Sequence, residues 1–309
     1  MAKFTWVFVF IWLPFLMVSK QEPIIINGQA QGTTYHIVYY DQKERNFKAE
    51  IEEILKAFDA SLSTYIPTSI ISKINTNQPN VQVDAYFITC FKKAKEIWKD
   101  THGAFDPTVY PLVNAWGFGP GKKLNVKQTQ IDSILKFVGF EKIELQGNKV
   151  LKKDPRVSLD FNAFAQGYSV DVVAQFLSSK GLSSFLVEIG GEVYARGQKP
   201  NGKYWTVGIE KPMDNKESQN PFKVVVKLKN RSLATSGNYR KFIVENGVKY
   251  AHSINPKTGY PSKNNLLSAS VFAADCITSD ATATAIMVMG LEKGIAYLKA
   301  HPNVQAYLT

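Results

Sequence analysis

Asp280 and Thr284 lie four residues apart in the segment Ser279-Asp-Ala-Thr-Ala-Thr-Ala-Ile-Met-Val-Met-Gly290. In a helix this spacing places both side-chain oxygens on one face, where a hard, oxygen-seeking cation or a phosphate would be at home. The same aspartate could also do no more than complement the helix dipole while the alanines pack closely. Ser279 or Thr278 can cap the helix, and Gly290 suits its end. A second chemically suggestive residue is His252, set in the Pro- and Gly-punctuated loop Ala251-His-Ser-Ile-Asn-Pro-Lys-Thr-Gly-Tyr-Pro261. Imidazole exchanges a proton near neutral pH, so such a histidine can serve as an acid, a base or an orienting group.

Further segments carry polar groups on turns. Asp106, in Gly103-Ala-Phe-Asp-Pro-Thr108, precedes a proline and is therefore biased to extended backbone, from which it either projects into a site or closes an Asx turn. Asp160 falls where Leu159-Asp-Phe-Asn-Ala-Phe-Ala-Gln-Gly-Tyr168 passes from extended chain into a helix. There Ala163 offers a bare carbonyl and the helix start offers free N–H groups; alternatively Asp160 only caps its own helix. Gly167 allows a close backbone approach. The pair Gly190-Gly191 marks a bulge or a ligand lying against the main chain. Ala234-Thr-Ser-Gly-Asn-Tyr-Arg240 reads as a polar turn between strands. Tyr65, after Ser63-Thr64, either stacks on a planar ring or packs into the core.

The elements that must position these groups alternate irregularly. Strands are expected at Gly32–Tyr40, Val157–Phe161, Phe185–Ile189, Glu192–Arg196, Trp205–Glu210, Phe222–Leu228 and Leu267–Ala273. Amphipathic helices are expected at Phe47–Leu62, Asp84–Thr101 and Gln166–Ser179. The polar stretch Met213–Asn220 reads as a surface loop. This order is not the regular strand–helix alternation of a doubly wound sheet, so the fold class is α+β. No GxGxxG or Walker loop occurs, which argues against either familiar phosphate cradle.

The chain has 309 residues, enough for one large domain, and a formal net charge of +11. Its lysines are spread along the whole length without a dense basic tract, which speaks against nucleic acid and for an anionic ligand or surface. The two cysteines, Cys90 and Cys276, are expected as buried free thiols, and no Cys/His zinc spacing exists. Residues 1–20 differ from the rest. A short basic start is followed by the apolar run Phe4–Val18, short for a membrane span and suited to a signal peptide or an N-terminal anchor. Export across a membrane follows from that reading.

Taken together and in this order, Gly32-Thr-Thr-Tyr35, Ser63-Thr-Tyr65, Phe105-Asp-Pro-Thr108, Pro111-Leu-Val-Asn-Ala-Trp-Gly117, Asp160–Tyr168, Gly190-Gly-Glu192, Thr235–Arg240 and the His252 loop resemble the ApbE family of FAD:protein FMN transferases. The resemblance runs from about Gly32 to Gly290. It implies a T-fold-like domain over residues 21–309, with mixed β-sheets flanked by helices. It implies FAD contacts at Tyr65, Ala104, Phe105, Asp106, Asp160, Gln166 and Ile254, and Mg²⁺ held at Ala163, Asp280 and Thr284. His252 is implied in the transfer. The implied reaction cleaves the FAD pyrophosphate and joins FMN through a phosphoester to a threonine of an acceptor protein, such as a membrane-bound redox subunit, releasing AMP. The implied location is the periplasm, free or anchored to the inner membrane. Two other readings use the same residues: an FAD pyrophosphatase, with water in place of the threonine, and a non-catalytic periplasmic FAD-binding protein. Three positions depart from the family pattern. Gln31 stands where methionine is usual, Gln166 where charged residues are common, and Ala283 where some members carry a second acid beside the metal threonine. With that acid missing, metal affinity should lean more on substrate phosphates and water.

Overall fold

The computed structural model describes residues 21–120, 126–210, 222–238, 242–245, 248–251 and 253–309. Thirteen strands are described: β1 (Ile24–Ala30), β2 (Thr33–Tyr39), β3 (Ile143–Gln146), β4 (Lys149–Lys152), β5 (Phe185–Ile189), β6 (Glu192–Arg196), β7 (Trp205–Glu210), β8 (Phe222–Leu228), β9 (Arg231–Gly237), β10 (Phe242–Glu245), β11 (Val248–Ala251), β12 (Ser268–Ala273) and β13 (Gln305–Leu308). The described helices are α1 (Lys48–Leu62), α2 (Ile70–Asn75), α3 (Ala85–Asp100), α4 (Tyr110–Trp116), α5 (Gln128–Leu135), α6 (Ala165–Ser179), α7 (Cys276–Met289) and α8 (Leu291–Ala300). Seven strands form the central sheet in the order β1-β2-β5-β6-β9-β12-β13, and every neighbouring pair is antiparallel. This is an α+β domain, as the irregular alternation of elements implies.

The two faces of the sheet bury different material. On one face Ile37, Phe185, Val187 and Ile189 pack against Val170, Val173 and Leu177 of α6. On the other, the β7–β8 hairpin sets Trp205, Ile209 and Leu228 over Leu186, Val193 and Leu233. A third core lies between helices, where Phe58, Phe87, Phe91, Phe161 and Phe164 gather around Ile277, Ala281 and Ala285 of α7. Each large apolar side chain so buried is worth about 1.5–3 kcal/mol, so α7 is clamped from both sides. Its residues are buried almost all round, which explains why it carries alanines rather than a polar stripe.

Several helix boundaries follow directly from caps. Asp84 accepts from the Phe87 N–H at the start of α3, and Ser69 does the same for Ser72 in α2. The cap of α7 differs from expectation: it is Asp275, accepting from the Thr278 N–H at 2.9 Å, and neither Thr278 nor Ser279. The helix therefore starts earlier, at Cys276, and Gly290 at φ +79° ends it as expected.

Two expected elements are corrected. Val157–Phe161 is extended but joins no sheet. The side-chain amide of Asn75 donates to the Leu159 carbonyl and accepts from the Leu159 N–H, both at 2.8 Å, while the Asp160 N–H donates to Pro107. A side chain thus satisfies the backbone that a strand partner would otherwise serve. The expected turn at Ala234–Arg240 is, up to Gly237, the strand β9 in the middle of the sheet, with period-2 alternation of Ser232, Ala234 and Ser236 against Leu233 and Thr235. Cys90 and Cys276 are buried free thiols. Residues 1–20 and the loop expected at Met213–Asn220 lie outside the described residues, and no helix among the described ones is long and apolar enough to cross a membrane.

Candidate active site

The site is built where α6 and α7 cross at their N-terminal ends. Asp171 of α6 uses both carboxylate oxygens to accept from the first N–H groups of α7, Cys276 at 2.7 Å and Ile277 at 2.8 Å. Two of the four donors that every helix start leaves unpaired are thereby met from a neighbouring helix, which fixes the axial position of α7. Gly167 sets the spacing between the two helices: a Cβ there would meet the Cys276 carbonyl at 2.5 Å and the Asp280 Cβ at 2.7 Å. The Gly167 N–H then reaches across to donate to Asp280 Oδ2 at 2.9 Å.

One turn further along α7, the Thr284 hydroxyl donates to the Ala163 carbonyl at 3.2 Å. Ala163, Asp280 and Thr284 therefore converge at one place, although 117 positions separate Ala163 from Asp280 in the chain. The donor set is one carboxylate, one hydroxyl and one main-chain carbonyl, all hard oxygens, and it suits Mg²⁺, which usually takes few protein ligands and completes its shell with water and phosphate oxygens. Asp280 is only 6% exposed, and burial pushes its carboxyl upward from the ordinary range. The Gly167 N–H opposes that rise, and the nearby Asp171 charge adds to it. A buried carboxylate with a single hydrogen bond among the described residues is an unfavourable charge that a dication would compensate.

The bend carrying Ala163 is tied to a second segment. Asn162 donates from Nδ2 to Thr64 Oγ1 at 3.1 Å, which docks the Ser63-Thr64-Tyr65 turn beside the metal-ligand candidates. Tyr65 itself is 61% exposed, so of the two readings for this tyrosine core packing is excluded. Its hydroxyl is raised from the usual range by desolvation and by the proximity of Asp160 and Tyr110. Asp160 is half-buried, closes its turn by accepting from the Asn162 N–H at 2.7 Å, and is pushed up to about 6 by desolvation. Gln166 lies over Gly190, where any Cβ would collide with its amide. Gly190 and Gly191, at φ +65° and +107°, are the two-residue turn of the β5–β6 hairpin, which accounts for both glycines without a bulge.

Other expected contacts are placed differently. Asp106 is buried with both oxygens in use: Oδ1 accepts from the Thr108 N–H and hydroxyl, and Oδ2 accepts from the Phe140 N–H at 3.0 Å. Its side chain braces a turn, as the Asx reading has it, and burial raises it to about 6. Phe105 packs edge-to-face on Phe164 at 5.3 Å in the helical core, and Ala104 beside it is half-buried. Ile254 is a core residue with Leu112, Trp116 and Ile131, bridged to Pro261. His252 lies outside the described residues. Residues that sequence reasoning passed over are Asp171, which caps a helix over a hundred positions away, and Ser236, whose hydroxyl sits 3.1 Å from that of Thr284. The period-2 alternation of small polar residues in β9 was the available signal for Ser236.

Residues 31–308 match the model of the ApbE family. The chain belongs to the ApbE family. Among relatives, an FAD:protein FMN transferase of Haemophilus influenzae is 38% identical over 304 residues, covering 94% of this chain and 87% of that protein. One from Vibrio cholerae serotype O1 is 35% identical over 288 residues, covering 91% and 85%. Of solved structures, the flavin transferase ApbE from Vibrio cholerae superposes with a TM-score of 0.83 at 33% identity, covering 94% of this chain and 97% of that one. The apo form of the Pseudomonas stutzeri flavinyl transferase ApbE gives a TM-score of 0.82 at 30% identity, covering 93% and 92%. Membership in the ApbE family accounts for the ordered motifs between Gly32 and Gly290, of which Ala163, Gly167, Asp280 and Thr284 meet at the helix crossing.

Proposed function

We propose that this chain is a magnesium-dependent FAD:protein FMN transferase, exported by its N-terminal segment, that acts on a threonine of an acceptor protein. The observation that carries the reading is the meeting of the Ala163 carbonyl, Asp280 and Thr284 beside a docked, exposed Tyr65. A phosphate-seeking cation site next to an exposed aromatic ring suits a molecule made of a planar ring system and a diphosphate.

Ala163, Asp280 and Thr284 would hold Mg²⁺, which when bound neutralises charge on the diphosphate oxygens. Tyr65 stacks on a planar ring of FAD and fixes the substrate's orientation. Asp160 and Gln166 flank the Ala163 bend in sequence and offer an acceptor and an amide to the flavin nucleotide. Asp106, with both oxygens engaged, contributes by holding the Ala104–Phe105 backbone against Phe140. The threonine hydroxyl of the acceptor attacks the FMN-side phosphorus, the P–O bond to AMP breaks, and AMP leaves. His252 receives the hydroxyl proton or positions the nucleophile. The diffuse positive charge of the chain favours arrival of the anionic dinucleotide.

The deciding experiment incubates the protein with FAD, Mg²⁺ and a candidate acceptor domain, then reads flavin fluorescence in a denaturing gel. A fluorescent acceptor band is the expected result. Free FMN and AMP without a labelled band would instead establish an FAD pyrophosphatase, and stoichiometric FAD binding without AMP would establish a flavin-binding protein.

A further inference from the structure

The Thr284 hydroxyl has a single proton and two neighbours. It lies 3.2 Å from the Ala163 carbonyl and 3.1 Å from Ser236 Oγ. A hydroxyl donates once and accepts twice, so when Thr284 donates to Ala163 it must accept from Ser236. A cation held by both the Ala163 carbonyl and the Thr284 oxygen sits between the two oxygens, where the proton of this first hydrogen bond now lies. The Thr284 proton would then point at the ion, and has to rotate to another acceptor. Among the described residues, Ser236 Oγ is the other hydrogen-bond partner of this hydroxyl.

We propose that Ser236 is a positioning residue for the cation: its hydroxyl reverses from donor to acceptor and holds the Thr284 proton away from the ion. This rests on the magnesium reading above. Ser236 is suited to the exchange because its backbone is fixed in the middle of the sheet, paired with Ala269 of β12. Its side chain is half-buried, so its own proton can turn to water as it gives up Thr284. It projects to the α7 face of β9, as Ser232 does towards Ser279, while Thr235 on the opposite face pairs with Ser270 at 2.8 Å.

The test measures Mn²⁺ binding by the full chain, with the metal alone, from the paramagnetic resonance signal of the free ion. Ser236→Ala is expected to weaken Mn²⁺ about tenfold or more, as loss of a partner that orients a metal ligand does. Ser236→Thr, which keeps the hydroxyl, should restore most of the affinity, and Thr235→Ala on the opposite face should leave it unchanged. Thermal melting without metal checks that each variant is folded; should Ser236→Ala not fold, Ser236→Cys, with its poor acceptor, gives the same contrast with Ser236→Thr. If Ser236→Ala, or Ser236→Cys in its place, binds Mn²⁺ as tightly as the parent, the role of Ser236 is overturned and the metal site stands. If the parent binds no Mn²⁺, or Asp280→Asn binds it equally well, the metal reading fails and this inference falls with it.

Discussion

At the scale of single residues, the site separates groups that reach outward from groups that face inward. Tyr65 is the clearest outward group, an aromatic ring left in solvent at the end of a turn tied down by Thr64 and Asn162. Tyr65→Ala should weaken FAD binding by about 1–3 kcal/mol, the usual worth of stacking a base on an aromatic, while Tyr65→Trp keeps it; calorimetric FAD titration would measure both. Asp280 is the one carboxylate of the proposed metal site, so Asp280→Asn should remove Mg²⁺ dependence and lower FMN transfer by two orders of magnitude or more, read from the labelled acceptor band. His252→Ala should cost about 10²–10⁴ in transfer rate yet leave FAD affinity unchanged, because a proton-handling group acts on the reaction and not on ground-state binding. An unchanged rate would remove His252 from the mechanism.

At the scale of elements, the crossing of α6 and α7 decides whether the site exists. Gly167 lets the helices touch, and the collision of a Cβ with the Cys276 carbonyl would push them apart. Gly167→Ala should destabilise the fold by about 1–3 kcal/mol and should reduce metal affinity as well, since the added Cβ pushes Asp280 away from the main-chain N–H at 167; denaturant melts and Mn²⁺ titration read the two effects separately. Asp106 acts at the same scale by joining the Pro107 turn to Phe140. Its folded pKa of about 6 lies above the ordinary carboxylate value of 3.8, so the folded state binds the proton more tightly than the unfolded chain. Stability from this group is fully present below pH 3.8 and is lost as pH rises through 6. Asp106→Asn should flatten that part of the stability–pH curve. It should also cost about 1–3 kcal/mol near neutrality, because its amide would face the Phe140 N–H donor to donor.

At the scale of the whole molecule, the seven-stranded antiparallel sheet is covered by α6 and α7 on one face and by the β7–β8 hairpin on the other. Tyr65 is the first of the proposed FAD and metal residues in the chain, and the family match begins at residue 31. Removal of residues 1–20 should therefore leave Mn²⁺ and FAD binding by the purified protein unchanged and abolish export, which cell fractionation with and without the segment would show. Retention of the shortened chain's normal location would overturn the leader reading.

The division between what the chain's residues declared and what folding added is physical. Local chemistry was legible where it is local: the Asp280/Thr284 spacing on a helix, the Ala163 bend, the paired glycines at 190 and 191, and the ordered motifs that placed the chain in its family. Helices α1, α3 and α6 were readable because a 3.6-residue apolar period repeats within a few positions, with Asp84 also marking the start of α3. What no local pattern could disclose depends on partners far along the chain. Asn75 standing in for a strand, Asp171 capping α7, Asp106 reaching Phe140 with its second oxygen, and Ser236 meeting Thr284 are pairings set by how the sheet and helices pack. A short polar side chain carries the same identity whether it binds a ligand or a neighbouring backbone, and only the packed structure selects between them.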